Sequence, residues 1–179
     1  RAEYFTGESK KHFRWITLAL ILLSLADFVI LFIEHGTWEK IENIPSQSDV
    51  RICITGRQWN CVFTYPGPDG ELYTNDDIVV DEQNSELHIP VNKNIVFDLK
   101  ATDVLHSLFV INTRLKQDCI PGRTNTRWFN ITKVGRYDIS CAEICGILHS
   151  KMRNFLVVES QEQYEQFLRS LYEKNALKQ

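Results

Sequence analysis

The chain has 179 residues, a formal net charge of −3 and 24% charged residues. That balance excludes the strongly basic footprint of a nucleic-acid binder and the composition of a disordered chain. One membrane segment plus one globular domain fits the length, and five cysteines, an odd number, exclude a framework in which every cysteine is paired.

Residues 1–14 read as a cytoplasmic-side segment and 15–34 as a transmembrane helix. The run Ile16–Ile33 contains thirteen Leu, Ile, Phe or Val residues. At helical rise it spans roughly 27 Å, enough for a bilayer core. Those thirteen contribute roughly −4 to −8 kcal/mol to insertion, and Asp27 opposes this by about 2.5 to 3.5 kcal/mol near the centre. The sum favours spanning. A signal peptide is disfavoured, because no small-residue cleavage site follows. Asp27 either faces a partner helix or sits protonated near the outer interface.

Lys10, Lys11 and Arg14 precede the span, whereas Glu34, Glu39 and Glu42 follow it with Lys40. That bias puts the N-terminal flank in the cytoplasm and the rest of the chain outside. The chain begins at Arg1, so the topology upstream is open.

Residues 35–50 read as a connector and 51–160 as the outer domain. Arg51–Tyr65 has the alternating, β-branched and aromatic character of a strand. Pro66-Gly67-Pro68-Asp69-Gly70 is a turn cluster. Further strands are expected at 86–89, 94–100, 107–111, 126–132, 136–140 and 153–159, with a loop at Pro121-Gly122. Many short strands imply a mainly β sandwich or Greek-key barrel. Ser160 and Gln163 form a capping-box signature, and Tyr164, Phe167, Leu168 and Leu171 recur at helical spacing. A short helix and tail over 161–179 therefore close the chain.

Chemistry concentrates between Cys141 and Met152. Cys141, Cys145, His149 and Met152 fall within twelve residues, and His106 lies upstream at the start of a strand. Thiolate and thioether are soft donors that favour copper, and imidazole suits it too. Zinc would accept two Cys and two His but has little use for Met. Haem c attachment needs Cys-x-x-Cys-His, which is absent. A Cys141–Cys145 disulfide stays open on an oxidising side of the membrane. A mononuclear blue-copper site needs a single Cys, so the second one points to two bridged ions.

Three segments together resemble cytochrome c oxidase subunit II: Asp103-Val-Leu-His106-Ser, Leu115-Lys-Gln-Asp118-Cys-Ile-Pro121-Gly122-Arg, and Cys141-Ala-Glu-Ile-Cys145-Gly-x-x-His149-x-x-Met152. Gly56-Arg-Gln58-Trp59 resembles that family's aromatic stretch. The resemblance implies a cupredoxin-type Greek-key barrel with an N-terminal transmembrane helix and a short C-terminal helix. It implies a dinuclear copper A centre bridged by Cys141 and Cys145, with His106 and His149 as ligands. Met152 and the Glu143 carbonyl would be weak ligands. The Glu143 side chain would reach a magnesium ion at the interface with subunit I. Trp59 would be the point of electron entry from a c-type cytochrome. Partners implied are subunit I, subunit III, the cytochrome donor and membrane lipid, with no nucleic acid. The function implied is electron entry to a haem–copper oxidase that reduces oxygen to water and pumps protons. An alternative is a copper A module of another respiratory enzyme, such as nitrous oxide reductase. The Tyr65-Pro-Gly-Pro-Asp-Gly turn looks like bacterial variants, which implies a bacterial inner membrane with the C-terminal domain in the periplasm.

The chain departs from that family at several points. One membrane helix is visible where two are usual, and its orientation matches the second of the pair. Cys61 stands where another Trp is common, and Cys119 where a small residue is usual. Cys53, Cys61 and Cys119 are expected as buried thiols. Glu8 lies too early to take the role of a proton-path glutamate before the helix. Asp69, Glu71, Asp76, Asp77 and Asp81 form an acidic stretch that would either draw in a basic cytochrome or be an ordinary solvated loop. Asp69–Asp77 also offers oxygen donors for calcium, without EF-hand spacing.

Overall fold

The computed structural model describes residues 10–177, with side chains from residue 13 onward. Most of the expected cytoplasmic-side segment, Glu8 included, lies outside the described residues. The chain divides into two compact units at Asn43–Ile44.

The first unit is helix α1, Lys10–Glu42. The stretch Phe13–Glu42 is long and apolar enough to cross a membrane. Its Leu, Ile and Phe side chains are exposed all round, which suits lipid as solvent, where an α-helix satisfies its own backbone groups. The helix runs on past the apolar stretch through Gly36, so residues expected as connector begin as helix.

The second unit packs two five-stranded sheets face to face. Its strands are β1 (Val50–Arg57), β2 (Asn60–Tyr65), β3 (Ile78–Val80), β4 (Glu86–Pro90), β5 (Ile95–Ala101), β6 (His106–Val110), β7 (Leu115–Cys119), β8 (Asn125–Phe129), β9 (Gly135–Cys141) and β10 (Arg153–Glu159). One sheet has the order β3-β2-β1-β5-β8 and the other β4-β10-β9-β6-β7. β1 runs parallel to β5 and β10 parallel to β4, while the other pairings are antiparallel. This is the mainly β, cupredoxin-like architecture expected.

The core lies between the sheets. Ile52, Ile54, Phe63, Leu87, Ile89, Phe97, Leu99 and Leu156 are fully buried. β10 alternates buried and partly exposed residues along its length, as a strand with one face on a core must. Each fully buried Leu, Ile or Phe contributes about 1.5–3 kcal/mol.

Two corrections concern the strands. Arg51–Tyr65 is a hairpin and not one strand, because the chain reverses at Gln58-Trp59 between β1 and β2. β3 and β7 were not expected. β7 alternates half-buried and exposed residues before the buried Cys119, and its polar Lys116, Gln117 and Asp118 hide the pattern. Pairing to β6, with Phe109 opposite Lys116, makes it a strand.

Helix α2, Gln161–Ala176, carries the expected capping box, with Ser160 and Gln163 satisfying each other's backbone N–H. Tyr164 is buried. Phe167 stacks on His88 with centroids 3.9 Å apart and meets Tyr65 edge-on at 5.6 Å, so the helix seals one end of the core.

Candidate metal centre

Two connections of the outer domain and the end of one strand converge on one place. The β5–β6 connection brings Asp103 and then His106, the first residue of β6. Strand β9 ends on Cys141. The β9–β10 connection carries Glu143, Cys145, His149 and Met152, closing with a short 3₁₀ turn at His149–Lys151.

Strand geometry would throw neighbouring side chains onto opposite faces. The connection is instead folded back by its own backbone. Ala142 N–H donates to the Ser107 carbonyl at 3.0 Å and Cys141 N–H to the Met152 carbonyl at 3.2 Å. His149 N–H donates to Gly146 and Met152 N–H to His149, at 3.1 and 3.2 Å. These bonds bring both ends of the connection together.

The result is a contiguous run of donor atoms. Cys141 Sγ lies 4.0 Å from His106 Nδ1, 3.2 Å from the Glu143 carbonyl oxygen and 3.8 Å from Cys145 Sγ. Cys145 Sγ lies 3.5 Å from His149 Nδ1 and 3.8 Å from Met152 Sδ. The ligand atoms of His106, Cys141 and Cys145 all fall within 4.8 Å of one another, the one such group among the described residues. All six atoms singled out in the sequence thus meet. The two sulfurs are free thiols at a separation far beyond a disulfide bond. Two thiols, two imidazoles, a thioether and a carbonyl fit a soft metal such as copper; a closed zinc site would leave the thioether unused.

Burial makes this pocket expensive for bare charge. His106, Cys145 and Met152 are buried, at 1%, 3% and 2% exposure. Burial, reinforced by the adjacent Cys141, pushes the Cys145 thiol up to about 12. A bound cation reverses this balance, because a coordinating thiol is deprotonated by the metal.

The surrounding contacts hold the donors in place. Asp103 Oδ1 is 2.8 Å from His106 Nε2, and Asp103 Oδ2 accepts the Gln58 N–H at 2.6 Å. Burial alone would raise the Asp103 carboxyl; hydrogen bonds from His106, Gln58 and Val104 outweigh it and hold the group below the usual range. Gln58 Nε2 donates to the Cys145 carbonyl at 2.7 Å. Gly56 allows β1 to approach, since a Cβ there would stand 2.9 Å from His106 Cβ. Asp103, Gln58 and Gly56 were not singled out as supports; the Asp-x-x-His spacing was the available signal for the first.

Trp59 follows Gln58 directly and packs partly buried on the core. Its indole lies against the metal loop, with a Cβ on Gly146 falling 3.2 Å from Trp59 Nε1. Ile144 and Ile147 on that loop are 83% and 91% exposed.

Cys53, Cys61 and Cys119 are buried free thiols, as expected. In the acidic loop, Asp77 accepts the Tyr73 N–H, Asp76 accepts from Thr74 and Asp69 accepts the Glu71 N–H. These carboxylates shape the loop, and no three of them come close enough to share a metal ion among the described residues.

A family model described as the periplasmic domain of cytochrome c oxidase subunit II matches residues 50–161. The alternative cytochrome c oxidase subunit 2 of Bradyrhizobium diazoefficiens is 28% identical, over 94% of this chain and 66% of the relative. Cytochrome c oxidase subunit 2 of Thermostichus vulcanus is 42% identical over 68% of this chain and 33% of the relative. The chain thus spans about a third to two thirds of these curated relatives. Among solved structures, the periplasmic domain of subunit II of cytochrome oxidase from Bradyrhizobium japonicum matches with a TM-score of 0.63 and 28% identity, covering 74% of this chain and 99% of that one. A similar domain, captured in a mixed disulfide with a thioredoxin-like protein, matches with a TM-score of 0.62 at 29% identity, over 75% of this chain and 98% of that one.

Proposed function

This chain belongs to the cytochrome c oxidase subunit II family, and from that premise we propose that it is the electron-entry subunit of a haem–copper terminal oxidase. It stands between a c-type cytochrome donor and the haem of subunit I, in an enzyme that reduces oxygen to water and pumps protons. The observation that carries this reading is the run of six donor atoms from His106 through Met152.

Cys141 and Cys145 would bridge two copper ions, His106 and His149 would each hold one, and Met152 and the Glu143 carbonyl would be weak ligands. Copper A bound there supplies one-electron exchange shared over two metals, without bond-making chemistry. The protein's own part is to hold the donors rigid. Asp103 fixes the His106 ring, Gln58 ties the Cys145 carbonyl to the Trp59 turn, and burial of Cys145 and Met152 keeps water out. Trp59 offers a π system against the metal loop and is the proposed point of entry. The Glu143 carboxylate is proposed to reach a magnesium ion shared with subunit I. The exposed Ile144 and Ile147 suit burial against that partner.

The outer domain would lie in the periplasm of a bacterial inner membrane, with α1 spanning the bilayer and subunits I and III as neighbours. Before metal loading, the Cys141–Cys145 pair must be reduced, and a thioredoxin-like protein is the proposed reductant by analogy with the mixed-disulfide relative.

Copper analysis and electron paramagnetic resonance of the outer domain test the centre. Two coppers and a seven-line mixed-valence signal are expected. A single copper with four lines, or bound zinc, would sink the dinuclear reading. Trp59→Ala should slow oxidation of cytochrome c by the assembled enzyme and leave that signal intact.

A further inference from the structure

Between Ile16 and His35 the polar side chains of α1 are Thr17, Ser24, Asp27, Glu34 and His35. At about 100° of rotation per residue they fall within an arc of about 100°. Leu18, Leu22, Leu25, Val29 and Phe32 occupy the opposite side. The polar side chains of the span are therefore confined to one side of the helix, which Leu20 and Leu31 share.

Asp27 is the charged residue at depth. About 16 Å of helix separates it from Ile16 and about 9 Å from Ile33. The residues one turn away are Leu23, Ser24, Ile30 and Leu31, and none carries a positive charge. Thr17 Oγ1 is different, because it donates to the Phe13 carbonyl at 2.8 Å and is satisfied by its own helix. A carboxylate inside an apolar span faces protein or water in place of hydrocarbon, and polar side chains bind transmembrane helices together.

We propose that Asp27 is the polar anchor by which α1 docks on the haem-bearing subunit, meeting a hydrogen-bond donor on one of that subunit's transmembrane helices. The proposal rests on the oxidase reading above. Two arguments select this occupant. Lipid tails offer no donor at that depth, so the complement to the carboxylate is a membrane-embedded protein. Electron delivery also needs a fixed geometry between this chain and the haem subunit. A helix apolar all round has no preferred rotation in lipid, whereas one polar contact on a single side sets it.

The test uses the assembled oxidase, purified through a tag on the haem-bearing subunit. A photo-crosslinking phenylalanine analogue at Ser24, on the side of Asp27, should give an adduct with the haem-bearing subunit; at Leu25, on the opposite side, it should not. Asp27→Leu should lower the amount of this chain that copurifies by about tenfold, with Asp27→Asn losing less because it still accepts a hydrogen bond. Wild-type copurification of Asp27→Leu would overturn the proposal. So would a Ser24 adduct with a second copy of this chain, with another segment of the same polypeptide, or with no protein. The copper A signal of the same membranes is recorded alongside. If it is absent from wild type, the oxidase reading fails; if it is present while the adduct is missing, the Asp27 proposal alone fails.

Discussion

Asp103 Oδ1 stands 2.8 Å from Nε2 of His106, which leaves Nδ1 as the ring nitrogen facing Cys141, at 4.0 Å. A carboxylate on Nε2 keeps the proton there and holds Nδ1 open for a metal. Asp103→Asn retains a polar side chain but loses the charge that orients the ring. Copper affinity of the outer domain should fall by about 10- to 100-fold, read by titration against a competing chelator. Unchanged affinity would show that the ring is held by packing alone.

Gly56 and His106 make a second such test. A methyl group at 56 would stand 2.9 Å from both Cβ and Cγ of His106. Neither atom can yield easily, because His106 is 1% exposed. Gly56→Ala should cost about 1–3 kcal/mol in stability, as overpacking does, and should distort the copper spectrum by moving a ligand. Urea unfolding and absorption spectroscopy check both. A variant with reduced stability but an unaltered spectrum would mean that β1 moves and His106 does not.

These two contacts also show what the sequence could reveal. The cluster of candidate donors was legible because soft donor side chains at Cys-x-x-x-Cys-x-x-x-His-x-x-Met spacing have few other uses. Helix α2 was legible through its cap at Ser160 and its apolar spacing. Gly56 and Gln58 were not, because a glycine in a strand and a glutamine in a turn carry no chemical signature until the fold sets them against His106 and Cys145. The β1–β2 reversal was hidden for a related reason. Gln58-Trp59 lacks Gly, Pro, Asn or Asp, so it carries no turn signal of its own. β7 escaped because its partner, and not its own pattern, makes it a strand.

Asp98 predicts a pH dependence remote from the metal centre. It is 1% exposed and accepts from Arg51 Nε and Nη2, both at 3.0 Å, from Tyr73 at 2.7 Å and from Thr126 at 2.9 Å. Burial would raise its pKa, but the bonds from Arg51, Tyr73 and Thr126 outweigh that and lower it. A carboxylate with a depressed folded pKa contributes stability above its unfolded value of about 3.9, and that contribution disappears as pH falls through the folded value. Asp98→Asn should therefore cost about 3 kcal/mol at pH 7, near the lower end for a broken buried pair because Arg51 reaches solvent. The difference from wild type should shrink below about pH 4. Urea unfolding of the outer domain at both pH values measures it. A gap that stays constant with pH would assign the loss to packing and not to charge.

The five thiols should separate by access. Cys141 is half-buried at the end of β9, whereas Cys53, Cys61, Cys119 and Cys145 are buried. Burial pushes Cys119 and Cys145 up to about 12 and Cys61 higher still. The thiolate is the reactive form, and each unit by which the pKa is raised lowers its fraction about tenfold at a given pH. An alkylating reagent on the metal-free outer domain at pH 8 should therefore modify Cys141 first. Copper loading should block that reaction, and unfolding should release all five. The same access makes Cys141 the sulfur that a thiolate of a thioredoxin-like dithiol reductant would attack in an oxidised Cys141–Cys145 pair. Cys145 is released as the leaving thiolate before the reductant's second thiol frees Cys141. Peptide mass spectrometry after short exposures gives the order directly. Equal labelling of Cys141 and Cys145 in the folded domain would mean that the β9–β10 connection opens without metal, and that the donor set is assembled by copper instead of awaiting it.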